Sequence, residues 1–180
     1  MMMQDIETVL FTEEEIAEKV TALGAQITKD FADKNPLVIS VLRGSFVFMA
    51  DLVRAIQAPC EVDFMSVSSY GSGTVSSGEV KIDKDLENSI EGRHIIVVED
   101  ILDSGRTLSY LMKNLKSRGA ASISLCTFLD KPDRRVIPVE VNYCGFEVPD
   151  EFIVGYGLDY DQKYRNLPFV GVLKPEVYGG

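Results

Sequence analysis

One histidine, no tryptophan and three cysteines are all that this 180-residue chain offers of the residue types that build metal centres and thiol chemistry. His94 has no second histidine or paired cysteine to join, which removes the ligand set of a zinc site and the partner of a Cys/His nucleophile. Cys60, Cys126 and Cys144 are far apart, form no CxxC, and each lies in a strand-like run; they read as buried reduced thiols. Long hydrophobic runs are also lacking, and no apolar window approaches the roughly 18 residues of a membrane span. The N-terminal MMMQDIETVL has no basic segment followed by a long apolar stretch, so it does not read as a secretion signal. Positive charge is scarce: 18 Lys and Arg face 28 Asp and Glu, for a formal charge of −10 and no basic block. That balance argues against a nucleic-acid or anionic-membrane surface. Together these absences point to a cytoplasmic protein that binds neither.

Two nucleotide motifs are missing as well. GxxxxGK[ST] does not occur, and Gly71-Ser72-Gly73 lacks the third glycine of a dinucleotide fingerprint, so triphosphate-motor and NAD readings lose their main support.

What is present suits one globular domain over residues 1–180, since 46% of the residues are hydrophobic and no polar linker or repeat interrupts the chain. Thr12 and Glu15 form a capping box, after which Ile16, Val20, Leu23, Ile27 and Phe31 recur at helical spacing until Asn35-Pro36. LVISVL (37–42) predicts a buried strand, Arg43-Gly44-Ser45 a tight turn, and FVFMADLVRAI (46–56) a helix. CEVDFMSVSSY (60–70) alternates as a strand does, and the polar GSGTVSSGE (71–79) predicts a mobile loop. HIIVV (94–98) suits a central parallel strand, and Leu108, Leu111, Met112 and Leu115 suit a helix ending at Gly119. ASISLCTFL (121–129) follows, then the turn DKPDRR, then strands within VNYCGFEV, EFIVGYGL and FVGVL. Strands alternating with helices predict an α/β fold: a central parallel twisted sheet with helices on both faces, plus a small hood of late strands. Ligands in such sheets bind beyond the carboxyl ends of the strands.

At that edge lies VVEDILDSGRTLSYL (97–111). Glu99 and Asp100 repel each other when both are ionised, and Asp103 follows closely. Ser104-Gly105 allows a concave turn whose amides, with those opening the next helix, cradle an anion. Carboxylates accept hydrogen bonds from vicinal hydroxyls or attract a metal those hydroxyls share. A sugar phosphate satisfies both halves. A loop cap at Glu99 and Asp100 with a helix N-cap at Asp103 explains the same residues without any ligand.

VVEDILDSGRTL resembles the phosphoribosyl pyrophosphate motif of type I phosphoribosyltransferases. LRGS (42–45), VSSYG (67–71), LDKPDRR (129–135) and FIVGYGLDYDQKYRNLPFVGVL (152–173) are similar to segments of the hypoxanthine-guanine branch. The resemblance runs from about residue 37 to the end, and four ordered segments are more specific than one.

The resemblance implies an activity: transfer of 5-phosphoribosyl from phosphoribosyl pyrophosphate to N9 of a 6-oxopurine, hypoxanthine or guanine, in purine salvage. It implies that Glu99 and Asp100 bind the ribose hydroxyls and a magnesium ion. Asp103 would be the general acid/base near purine N7, and Ser104, Gly105, Arg106 and Thr107 would hold the 5′-phosphate. Arg43 and Gly44 match a pyrophosphate loop in which a cis peptide bond before a residue other than proline is typical. Ser69 and Tyr70 match the start of a lid, and Arg165 a further pyrophosphate contact. Lys131 matches the donor to the purine O6, Phe152 the ring that stacks on the base, and Ile153 a residue whose backbone reads the ring edge. Asp159 matches a ligand of a second magnesium. Arg43 and Arg106 stand where some members carry Lys, which keeps the charge and changes the fork geometry. A homodimer or homotetramer is expected by the same resemblance. Two alternatives remain: a regulator of the same fold that binds RNA or DNA, for which only the short basic cluster Lys131–Arg135 speaks, and a pyrimidine or adenine transferase, against which the segments around Lys131 and Phe152 speak.

Overall fold

The computed structural model describes residues 2–69 and 80–179. The elements in chain order are β1 (Ile6–Phe11), α1 (Glu13–Phe31), β2 (Leu37–Leu42), α2 (Phe46–Ala55), β3 (Glu61–Ser69), β4 (Val80–Lys84), β5 (His94–Leu102), α3 (Arg106–Ser117), β6 (Ser122–Asp130), β7 (Tyr143–Glu147), β8 (Ile153–Val154), β9 (Val170–Leu173) and α4 (Pro175–Tyr178). A six-stranded sheet runs in the order β4-β3-β2-β5-β6-β7, and a three-stranded sheet in the order β1-β9-β8 forms the hood.

The capping box at Thr12 and Glu15 opens α1, and the helix turns Ile16, Val20, Leu23, Ile27 and Phe31 inward. With Phe48, Met49 and Leu52 of α2, these residues cover one face of the sheet over Val38, Ile96 and Phe128. Leu108, Leu111 and Leu115 of α3 cover the other face over Ile39, Ile95 and Val97. Each such buried side chain contributes about 1.5–3 kcal/mol. Helices therefore do lie on both faces.

The strands β3, β2, β5, β6 and β7 form the expected central parallel sheet, to which β4 adds an antiparallel edge. Several other expectations are corrected. The strand expected over 94–98 runs on to Leu102, because β6 pairs with it as far as Leu102↔Asp130. Glu99 and Asp100 are thus strand residues. The hood is not made of late strands alone: β1, to which the sequence reading assigned no element, pairs with β9 from Ile6↔Leu173 to Phe11↔Val170. β7, expected among the late strands, instead joins β6 at the edge of the large sheet. Of the three thiols only Cys126 is buried, while Cys60 and Cys144 are half-buried, and all three are free.

β2 pairs with β3 on one side and β5 on the other, all parallel. Chain order reverses between β2 and β5, which makes their carboxyl ends the topological switch point. The β2–β5 ladder ends at Ser40↔Val98, so the sheet parts just before Glu99. Among the described residues no helix is long and apolar enough to cross a membrane.

Candidate functional site

Beyond that parting, the chain leaves β2 through a cis peptide bond between Leu42 and Arg43. Ser45 is buried, and its hydroxyl donates to the Val41 carbonyl at 2.5 Å and lies 2.7 Å from Ser40 Oγ, which fastens the turn. Gly44 is packed against the acidic pair: a β-carbon built on it would stand 1.6 Å from Asp100 Oδ2. One built on Gly157, in the hood, would stand 2.2 Å from the Gly44 carbonyl oxygen.

Glu99 is buried, and its Oε1 accepts from Asp100 N at 3.1 Å, while Asp100 Oδ1 accepts from Ile101 N at 2.7 Å. Burial, and then the neighbouring Asp100 carboxylate, hold the Glu99 carboxyl well above the usual range. Hydroxyl donors or a hard cation would relieve that repulsion, and carboxylate oxygens are the donors such cations take. Among the described residues no three acidic, histidine or cysteine side chains converge into a cage. Magnesium needs none, since it is held through one or two carboxylates with waters and substrate phosphates. The donor set therefore fits magnesium.

Past β5, Gly105 takes φ +82° and serves as the N-cap of α3 without a capping side chain. Only glycine adopts that conformation at little cost. A side chain would also be blocked, because a β-carbon there meets the Ile137 carbonyl oxygen at 2.3 Å. The Ser104 carbonyl accepts from Val136 and Ile137 amides at 2.9 and 3.0 Å, which braces the turn from outside. First-turn amides of a helix have no preceding helical carbonyl and are available to an anion. A cavity of about 250 Å³ lies there, lined among others by Leu42, Glu99, Asp103, Ser104, Gly105 and Thr107. Asp103 has one oxygen, Oδ1, that is buried without a hydrogen bond. Arg134 Nε stands 3.4 Å from it, an ionic neighbour too poorly aligned to count as a donor.

On the other side of Leu42 a cavity of about 450 Å³ is lined by Leu42, Arg43, Phe46, Gln162 and Arg165. Gln162 Oε1 accepts from Arg43 at 3.1 Å and from Arg165 at 3.2 Å, so one amide oxygen holds two guanidinium groups together. Arg165 also donates to the Gly157 carbonyl at 2.8 Å and pairs with Asp159 Oδ1 at 3.0 Å. Asp159 Oδ2 accepts from Gln162 N at 2.8 Å. Both Asp159 oxygens thus have partners, and it can ligate a metal only through remaining lone pairs. A larger cavity, about 560 Å³ between α1, α2 and residues 165–168, contains none of residues 99–107.

Lys131 follows β6, is largely buried, donates to the Glu151 carbonyl at 2.9 Å and lies 3.8 Å from Asp150 Oδ1. Ile153 is buried in β8, while Phe152 beside it is exposed. The structure therefore gathers Arg43, Gly44, Glu99, Asp100 and Asp103–Thr107 at the sheet edge, with Asp159 and Arg165 reaching in from the hood. Lys131, just past β6, is joined through the Glu151 carbonyl to the segment between β7 and β8 that carries Phe152 and leads to Ile153. Ser69 ends β3, paired with Val80. Tyr70 and the loop expected over 71–79 lie outside the described residues.

Gln162 and Arg134 were not anticipated. Each acts through a contact with a distant segment, Gln162 with Arg43 and Arg134 with Asp103, which the segments that contain them do not reveal.

A family described as "Phosphoribosyl transferase domain" matches residues 9–161. The hypoxanthine-guanine phosphoribosyltransferase of Bacillus subtilis is 58% identical over 178 residues, covering 99% of each chain. That of Streptococcus thermophilus is 56% identical over 178 residues, again with 99% of each covered. A crystal structure of a hypoxanthine phosphoribosyltransferase from Staphylococcus aureus superposes with TM-score 0.96 at 49% identity, covering 99% of this chain and 97% of that one.

Proposed function

The chain belongs to the phosphoribosyl transferase family, in its hypoxanthine-guanine branch, and from that premise we propose how the cleft between β2 and β5 performs the reaction. The activity is that of a purine-salvage glycosyltransferase. One observation carries the reading: Leu42 lines two cavities, one with Glu99, Asp103 and the anion cradle, the other with two arginines.

In this reading the amides and side chains of Ser104, Gly105, Arg106 and Thr107 hold the 5′-phosphate, and Glu99 and Asp100 accept from the ribose hydroxyls. Arg43, the Gly44 backbone and Arg165 hold pyrophosphate, with Ser69 and Tyr70 at the start of a covering segment. Lys131 donates to O6 of the base, Phe152 stacks on it and Ile153 presents backbone to its edge. N9 of the purine displaces pyrophosphate from the anomeric carbon, and Asp103 exchanges the proton at N7. Positive charge develops on the sugar as the bond breaks, and the nearby carboxylates favour it. The two guanidinium groups, already drawn together by Gln162, stabilise the departing charge. Glu99, Asp100 and Asp159 would hold magnesium, which when bound supplies further positive charge to the pyrophosphate.

The basic cluster at residues 131–135 supports a small-molecule site over a nucleic-acid surface. Lys131 is engaged with Asp150 and Glu151, Arg134 with Asp103 and Asp150, and Arg135 with Asp130. We further propose that residues 1–180 work as one domain, in the cytoplasm, as a homodimer or homotetramer.

The test is turnover with phosphoribosyl pyrophosphate and magnesium against hypoxanthine, guanine, xanthine, adenine and uracil, for the wild type and Asp103→Asn. The expected result is reaction of 6-oxopurines only, with the variant slowed by about 10²- to 10⁴-fold, the usual contribution of a general acid/base. Nucleotide binding without turnover of any base would reject the reading.

A further inference from the structure

The exposed ring of Phe152 has a backing to which no role has been given. After β9, Lys174 N donates to the Asp5 carbonyl at 2.9 Å, and Pro175 opens α4. Val177 then packs on the hood core of Val154, Tyr164, Leu167 and Leu173. With the helix pinned in that way, Tyr178 lies stacked on Phe152, centroids 4.6 Å apart and planes 25° from parallel. Tyr160 closes a further side, edge-on to Phe152 at 5.3 Å and 89°, and to Tyr178 at 6.4 Å and 68°. Phe152 nonetheless keeps 36% of its surface open. Tyr178 stacks on the ring, Tyr160 stands at right angles to it, and more than a third of the residue stays open.

We infer that Tyr178 is a positioning residue for the purine: it backs Phe152 and fixes the plane on which the base stacks, the base taking the ring face opposite Tyr178. The inference rests on the reading of Phe152 as the stacking residue. An unbacked phenylalanine at a rim samples several rotamers, and binding a flat ligand on it must first select one of them. Tyr178 removes that selection before the base arrives. Its hydroxyl is not needed for this, only its ring. Since the effect precedes chemistry, it falls on base binding alone.

The experiment compares Tyr178→Leu, Tyr178→Phe and Phe152→Leu in steady-state kinetics with hypoxanthine, each substrate varied in turn, together with the thermal midpoint. Tyr178→Leu is expected to raise KM for the base about three- to tenfold, the cost of ordering one side chain on binding. KM for phosphoribosyl pyrophosphate and kcat should not move, the thermal midpoint should fall by no more than the loss of one aromatic pair gives, and Tyr178→Phe should keep the wild-type base KM. An unchanged base KM in Tyr178→Leu overturns the inference. So does a lowered one, which would place Tyr178 on the face the base itself uses, and so does a parallel change in both KM values. If Phe152→Leu raises the base KM while Tyr178→Leu does not, only this inference fails. If Phe152→Leu leaves it unchanged, the assignment of Phe152 fails and takes the inference with it.

Discussion

Replacing Glu99 with glutamine should make the metal-free protein more stable at neutral pH while disabling it. Glutamine keeps the size of the side chain and an oxygen that can go on accepting from Asp100 N, now at 3.1 Å. What it removes is a carboxyl, 9% exposed, that burial and the Asp100 charge hold well above its ordinary value of 4.5. A raised value means that the folded state binds this proton more tightly than the unfolded state does. Its contribution to stability is therefore fully present below the ordinary value and is lost as pH rises through the folded one. At pH 8 the variant should gain about 1–3 kcal/mol, the cost of keeping an under-compensated polar group in a protein interior. For a chain of this size that is about 2–4 °C in Tm per kcal/mol. At pH 4 the gap should close. Urea unfolding of both proteins at the two pH values in chelator measures it, with turnover assayed alongside in magnesium. A glutamine variant no more stable than the wild type at pH 8, or equally stabilised at pH 4, would refute the argument.

Gly105→Ala meets both a positive φ and the Ile137 carbonyl, so it should cost about 1–3 kcal/mol and raise KM for phosphoribosyl pyrophosphate more than KM for the base, read by unfolding and kinetics. Thr12→Ala removes the hydroxyl that accepts from Glu15 N at 3.2 Å and should cost about 1 kcal/mol in urea unfolding with kinetics unchanged.

Local chemistry was readable where the acting residues are neighbours in the chain. Residues 99–107 show their carboxylates, glycine turn and helix start in one stretch, and α1 declares itself through its cap and spacing. Legibility failed where pairing joins distant segments. Nothing in IETVLF says that it will lie against residues 170–173, and nothing in YCGFE says that it will extend the large sheet rather than the hood. The end of β5 is hidden in the sequence because charged residues suggest a turn, whereas the β6 ladder holds Glu99 and Asp100 extended. Gln162 and Tyr178 gain their places only through what the fold brings beside them.

The stack formed by Asp100, Gly44 and Gly157 sets how this site responds to damage. A side chain facing a misplaced neighbour can change rotamer and absorb a few tenths of an ångström; a peptide plane cannot. Here the turn after β2 and the hood touch through glycine and main chain, Gly157 against the Gly44 carbonyl, while the other side of Gly44 faces the Asp100 carboxylate. The spacing between the turn and the hood is accordingly set by backbone thickness. An added methyl at Gly157 would shift the hood as a body, and no repacking of nearby side chains would bring it back, whereas one at Gly44 would displace the Asp100 carboxylate. Compensation would have to come from shortening or re-aiming the segments that carry the hood.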